Sequence, residues 1–547
     1  MSTAEFSDAL ARLQQVLAAT SANGVPALLD RLRSGAASEQ EWIGSAEQLL
    51  RADSLAALAL LEVATDRFPD SSTLNYLLGN ACRLNANHAE AEASLRKAIA
   101  LEPSHVNASL SLAYLLREQG RMQALAAVML ALWEHEPRSL DSDKRTLAFL
   151  CECERFADAD PLAKAMLAAH PDDPGLLRRA GEIALVLGRF EDSREALRRA
   201  LAIDPTQASA WLRLAHTHRF TGHDDPDLGL LRAGAAREDL AEDADTAIGF
   251  ALGKALDDLG DAAEAAQVLR RTNARWHASH PWDSAAWQRF VDSRIGSPAL
   301  AEAAQVDDAV PVFIVGLPRS GTTLAASLLS RDARIRNRGE LNWISAFAPR
   351  LGAEATTEIL AGAGRYFMRQ LRQDDTPAQF YIDKNPLNFR HLDQIVAMLP
   401  QARIIHCRRD LRDTALSIWS QHFAHADMNW SYAFGDIAEF IRGYQRLMSH
   451  WQTVMPERIF ALDYEALVAD TDATLARVHQ FLGLEPDAAT TTAEVKPVEI
   501  IATASVWQAR QTVNTKSVDR WRRYLEYVPE LELIEKNQPA LESKPEK

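Results

Sequence analysis

Cysteine is scarce, with four in 547 residues. Cys82, Cys151, Cys153 and Cys407 show no metal-ligand spacing, and Cys151 and Cys153, two apart, point away from each other on a helix. No metal site is implied, and a reducing cytoplasm is the expected compartment. Basic residues are in deficit: 59 Lys and Arg against 75 Asp and Glu give a formal net charge of -16. Broad phosphate neutralisation needs a dominant basic face, so a nucleic-acid binder is excluded and any anion site must be local. No stretch approaches the roughly 20 apolar residues of a membrane span. The opening MSTAEFSDALARLQQVL lacks an unbroken apolar core and carries early acidic residues, so it reads as an amphipathic helix rather than a signal peptide. A soluble protein is expected.

What is present is globular. Hydrophobic residues make up 47% and charged residues 24%, and the length implies two or three domains. Prolines 69, 103, 137, 171 and 205 are each 34 residues apart. That period is the tetratricopeptide helix–turn–helix unit, in which the proline follows the second helix. Gly79 with Leu95 and Gly181 with Leu197 stand at equivalent offsets, the glycine letting paired helices approach and the leucine filling the space. Gly120, Gly188 and Gly222, separated by multiples of 34, are expected at the turns between the two helices of a unit. The period lapses where the next proline, near 239, is missing. Residues Asp243 to Trp276 still have the pattern of a helix pair and are expected to cap the solenoid.

Through GSPALAEAAQVDDAVP the pattern changes to β-branched runs, and the domain boundary is placed there: an all-α repeat solenoid over 1–300, then an α/β parallel-sheet domain over 301–547. VPVFIVG, AQFYID, ARIIHC and ERIFAL read as its strands. VFIVGLPRSGTTLAASLL is a strand, a glycine-bounded loop and a helix opening on hydroxyls, the P-loop-like geometry of an anion cradle. A nucleoside-triphosphatase loop reads GxxxxGK[ST]; here Gly316 and Gly321 keep the spacing, but Thr322 stands where the lysine would be. Without that lysine the loop is poorly equipped for a γ-phosphoryl group. Arg319, Ser320, Thr322 and Thr323 can still hold one phosphate and a neighbouring group.

With GLPRSGTT in place the sequence resembles the sulfotransferase superfamily over about residues 311–525, nearest in motif to tyrosylprotein sulfotransferases and to bacterial proteins that join tetratricopeptide repeats to such a domain. The resemblance implies a donor, 3′-phosphoadenosine 5′-phosphosulfate (PAPS), whose 5′-phosphosulfate lies on Arg319, Ser320, Gly321, Thr322 and Thr323. In RRDLRDTALSIW it implies that Arg409 and Ser417 hold the 3′-phosphate, and the residues agree: a second phosphate needs a charged donor and a hydroxyl at another strand end. Gln421 replaces a further basic residue of the family pattern. Arg408 and Arg412 are secondary candidates for the same phosphate, or pair with Asp410 or Asp413 on the surface. Glu340 of RGELNW falls at the family's catalytic base, and Lys384 of YIDKNP at the lysine that steadies the departing phosphate. Tyr464 is implied as an adenosine neighbour, or is core. In TASVWQARQTVNTKSVDRWRRYLEYVPEL, Ser505 and Arg520 match phosphate-contacting positions of a closing loop, arginine replacing the usual lysine. His406, His422 and His425 lack ligand spacing with acidic partners and are read as structural.

The implied reaction is in-line sulfuryl transfer to a hydroxyl, with Glu340 as base, Lys384 and the loop offsetting charge on the leaving phosphate, and 3′-phosphoadenosine 5′-phosphate (PAP) as product, without a metal. The rival enzyme is an NTP-dependent kinase on the same loop, which Thr322 disfavours; the rival of another class is an inactive repeat scaffold. The acceptor, whether tyrosine, sugar or metabolite, is left open, and the repeats favour a peptide or protein acceptor. All the named phosphate contacts lie beyond residue 305, so a fragment beginning there is expected to bind PAP alone.

Overall fold

The proline spacing returns as a spacing of helices. In the computed structural model, which describes residues 25–485 except 353 and 424, together with 515 and 517–534, the pairs Ser72–Leu84/His88–Leu101, Val106–Glu118/Met122–His135, Leu140–Glu152/Phe156–Ala169 and Pro174–Val186/Phe190–Ile203 follow one another. Pro103, Pro137, Pro171 and Pro205 each stand two residues past the second helix, where a missing N–H costs nothing. Ser71 and Asp173 cap the helices after them, accepting from Leu74 N at 3.2 Å and Leu176 N at 3.0 Å. A Cβ on Gly79 would lie 2.6 Å from Leu95 and one on Gly181 would lie 2.8 Å from Leu197, so glycine is required for each close approach.

Seven residues past each of these glycines the backbone turns left-handed, and this holds in every pair of the four: Ala86 (φ 60°), Gly120 (70°), Glu154 (56°) and Gly188 (78°) are spaced by 34. The turn demands the conformation whether or not glycine supplies it. Gly222 does not take part. The helix Ala208–Ala215 stops early, residues 216–225 run as irregular turns, and Gly222 is not among the left-handed glycines. The motif resumes out of phase in the pair Glu242–Leu259/Ala262–Ser279, where a Cβ on Gly253 would lie 2.6 Å from Leu269 and Gly260 is left-handed at φ 89°. The internal offsets of 7 and 16 residues are those of Gly79, Ala86 and Leu95, so the pair keeps the unit's packing and loses only its phase.

Five strands, β1 (Val310–Gly316), β2 (Ile335–Asn337), β3 (Phe380–Asp383), β4 (Arg403–Arg408) and β5 (Ile459–Asp463), form one sheet in the order β2-β3-β1-β4-β5, every pairing parallel. Val312 and Ile314 of β1 face one apolar layer and Phe313 and Val315 the other. Burial on both faces is why the strand reads as an unbroken apolar run.

By internal contact the chain divides into residues 1–162 with 373–375, and residues 163–372 with 376–547. Within the second unit one apolar core runs from Leu197 through Trp276, Phe313 and Tyr432 to Ile534. The division at 300/301 follows the change of element type, while the contact division falls inside the helix Phe156–Ala169.

Candidate active site at the carboxyl edge of the sheet

Because all five strands are parallel, all five carboxyl ends lie along one edge, the place where α/β sheets present ligand-binding loops. Each end delivers a residue singled out in the sequence. Glu340 follows β2, Lys384 follows β3, the loop Leu317–Gly321 follows β1, Arg409 follows β4 and Tyr464 opens the helix after β5.

The β1 loop is shaped by contacts that exclude side chains. A Cβ on Gly316 would lie 2.5 Å from the Cys407 carbonyl, and one on Gly321, at φ 95°, would lie 2.5 Å from Tyr464. Gly321 caps the helix Thr322–Leu329, which places Thr322 and Thr323 at its first two positions. Ser320 is buried at the turn and its Oγ has no hydrogen-bond partner among the described residues, so a polar atom is left available in the cradle.

Arg319 adopts φ 69° and its Nε donates to Ser417 Oγ at 3.1 Å. Arg409 reaches back, donating from Nη1 to the Arg319 carbonyl at 3.1 Å and from Nη2 to the Ser517 carbonyl at 2.5 Å, with its guanidinium 4.8 Å from the Tyr464 ring centre. The residues assigned to two different phosphates are therefore laced to each other. Arg409 Nε is buried and has no partner among the described residues. Burial, then the Arg409 and Arg520 charges, push the Arg319 pKa down to about 10. Guanidiniums with an N–H and a hydroxyl left partnerless among the described residues have the chemistry of a local anion site in a chain of net charge -16.

Lys384 is 1% exposed and its Nζ donates to Glu340 Oε1, while the Glu340 side chain is 50% exposed. Asp383, overlooked in the sequence, secures this pair. It is fully buried and accepts from Leu341 N at 3.3 Å, Asn385 N at 3.0 Å and Asn388 Nδ2 at 3.0 Å, joining the end of β3 to the segment that carries Glu340. Burial pushes its pKa up to about 7 against those hydrogen bonds. Glu340 also acts electrostatically on Arg319, so the acid–base pair and the anion cradle belong to one site.

Other candidates fall differently. Arg408 pairs with Asp463 at 2.8 and 2.9 Å rather than with Asp410 or Asp413, and Arg412 stacks 3.4 Å from the Trp521 ring centre. Asp410 caps the helix Leu411–Trp419, and Asp413 accepts from Asp519 N at 2.7 Å and Trp521 N at 2.9 Å. Arg520 pairs with Asp257. Ser505 lies outside the described residues. His406 is buried with its Nε2 2.5 Å from the Tyr444 hydroxyl, and His422 stacks on Phe250 with Nδ1 3.1 Å from the Tyr432 hydroxyl. Burial lowers their pKa values to about 3 and about 4, so both are neutral packing groups at pH 7.

Fold and edge together define a repeat protein whose α/β domain gathers guanidiniums, hydroxyls and a paired carboxylate and ammonium at the carboxyl ends of its strands. Residues 311–488 match the Sulfotransferase family, and residues 51–100, 85–132 and 153–217 match the Tetratricopeptide repeat. Along the chain, the regions that match the Tetratricopeptide repeat are helical and come first, and the region that matches the Sulfotransferase family holds the parallel sheet and comes second. An uncharacterized protein of Aquifex aeolicus (strain VF5) is 25% identical over 421 residues, 72% of this chain and 54% of the relative, so the chain spans about half that protein's length. The sulfotransferase domain of the Synechococcus PCC 7002 olefin synthase is 20% identical, covering 44% of this chain and all of that domain at a TM-score of 0.30. YrrB, a tetratricopeptide protein with an unusual peptide-binding site, is 15% identical, covering 38% of this chain and 95% of its own at a TM-score of 0.25. Among the described residues no helix is long and apolar enough to cross a membrane.

Proposed function

We propose that the protein is a PAPS-dependent sulfotransferase acting on a hydroxyl, with a tyrosine in a peptide or protein as the favoured acceptor. The observation that carries this reading is the delivery of Glu340, Lys384, the Arg319 loop and Arg409 by four different parallel strands to one edge. The residues suit a nucleotide with two separate anionic groups: among the described residues Ser320 Oγ and Arg409 Nε are buried without partners, and Gly316 and Gly321 let the loop pack closely against the Cys407 carbonyl and Tyr464. The donor supplies a sulfuryl group on a phosphate leaving group. Glu340 takes the acceptor's proton as the new O–S bond forms and the old one breaks. Lys384, with Arg319, faces the charge released on the leaving oxygen. Arg409, Ser417 and Arg520 hold the 3′-phosphate side, and Tyr464 supports Arg409 and flanks the base. The repeats suit a peptide acceptor because stacked helix pairs provide extended concave surfaces.

Thermal denaturation tests the donor. PAP should raise the melting temperature of the full chain markedly more than ATP with magnesium, since stabilisation follows occupancy. Equal or greater protection by ATP–magnesium would replace this reading with the kinase.

A further inference from the structure

Asp257 lies on the helix Glu242–Leu259, before the sheet begins, yet it holds a residue of the anion site. Its Oδ2 is 3.0 Å from Arg520 Nη2, its Oδ1 accepts from Arg520 Nε at 3.2 Å and from the Tyr524 hydroxyl at 2.7 Å, and Arg523 stands 3.6 Å away. Both partners are mostly covered, the Asp257 side chain being 21% exposed and Arg520 17%. Burial alone would raise the Asp257 pKa, but the Arg520 and Arg523 charges together with the hydrogen bonds from Tyr524 and Arg520 outweigh it and hold the carboxyl below its usual range.

The segment bearing Arg520 is clamped from the other side as well. Asp413 accepts from Asp519 N and Trp521 N, Arg412 lies over Trp521, and Arg409 donates to the Ser517 carbonyl. Residues 517–524 are thus fastened to the helix after β4 at one side and to Asp257 at the other, with the Arg520 charge felt at Arg319. A guanidinium whose charge reaches another guanidinium is electrostatically uphill unless something fixes it there. Asp257 supplies both the counter-charge and the fork geometry that sets the guanidinium plane.

We propose that Asp257 is a positioning residue of the anion site: by holding Arg520 on the segment that Arg409 ties down through Ser517, the helical part of the chain completes the place where the donor's phosphates bind. The inference rests on the nucleotide reading above.

The test is calorimetric titration of the full chain with PAP, and separately with inorganic sulfate, for wild type, Asp257→Asn, Asp257→Glu, Arg520→Gln and the Asp257→Asn/Arg520→Gln double variant. Asp257→Asn keeps the shape and removes the charge. It is expected to weaken PAP binding about tenfold, as Arg520→Gln does, with Asp257→Glu partly restoring it and the double variant no weaker than Arg520→Gln alone. A purely structural role would not produce that non-additivity. Wild-type affinity in Asp257→Asn, or losses that multiply in the double variant, would overturn the proposal. If Asp257→Asn does not fold, Arg520→Gln decides, and unchanged PAP affinity there also overturns it. Binding of sulfate without PAP sinks the nucleotide reading while the effect of Asp257→Asn on sulfate still settles this one. A wild-type chain that binds neither sinks both.

Discussion

Of the two groups in the Lys384–Glu340 pair, only the carboxylate meets solvent, so an incoming hydroxyl encounters Glu340 first and Lys384 stays behind it as a fixed charge. Glu340→Gln keeps the shape and cannot take a proton. It should lower turnover by about 10²–10⁴-fold with PAP affinity nearly unchanged, as steady-state rates and a PAP titration would show. Arg409→Ala should do the opposite, weakening PAP roughly 10- to 100-fold through loss of a charge-assisted contact. Asp383 gives a pH signature. Its folded pKa of about 7 lies above the ordinary 3.8, so the stability it contributes is complete below about 3.8 and is lost as pH rises towards about 7. Urea unfolding at about pH 5 and about pH 7.5 should therefore show wild type losing stability relative to Asp383→Asn at the higher pH. A constant difference would mean that Asp383 is ionised at both. Arg319, Glu340, Lys384 and Arg409 were legible because each sits in a motif of contiguous residues. Asp383 and Asp257 were not, because what makes them matter is a partner 42 or 267 positions away.

At the scale of elements, the repeat was legible wherever its phase held, since proline and glycine mark turns by their own stereochemistry. Two of the four left-handed turns in the pairs between residues 72 and 203 could not be marked that way: Ala86 and Glu154 adopt the conformation without glycine. An L-residue there costs roughly 1–2 kcal/mol, and glycine gives part of that back in unfolded-state entropy. Ala86→Gly should accordingly stabilise the repeats by about 0.5–1 kcal/mol in a urea titration, whereas an unchanged or lower midpoint would mean that the Ala86 methyl packs to advantage. The pair 242–279 was legible as helices but not as the same unit, because the missing prolines hid a motif shifted out of register. The longer strands announced themselves as apolar runs buried on both faces. β2, three residues at the edge of the sheet, is too short to carry any pattern, so nothing in the sequence showed that Glu340 follows a strand.

For the molecule as a whole, the expectation that a fragment from about residue 305 binds PAP alone is reversed by the packing. Asn273 donates to the Trp419 carbonyl at 3.0 Å, at the end of the helix that carries Ser417. Trp276 and Phe250 pack against His422 and Tyr432, and Trp287 stacks 4.5 Å from Phe440. A 305–547 fragment would expose all these surfaces and lose Asp257. Circular dichroism and a PAP titration should find it poorly folded and at least tenfold weaker in binding, while a fragment from 163 onward should retain both properties. Wild-type PAP affinity in the shorter piece would return the site wholly to the sheet domain. The shared core running from Leu197 to Ile534 also has a consequence in time. On the ribosome, the helices ending at Ser279 emerge 255 residues before Ile534 is made. At about 5–20 residues per second they wait roughly 13–50 s with an apolar face unmatched. The second unit is therefore the part of the chain most in need of a chaperone during synthesis.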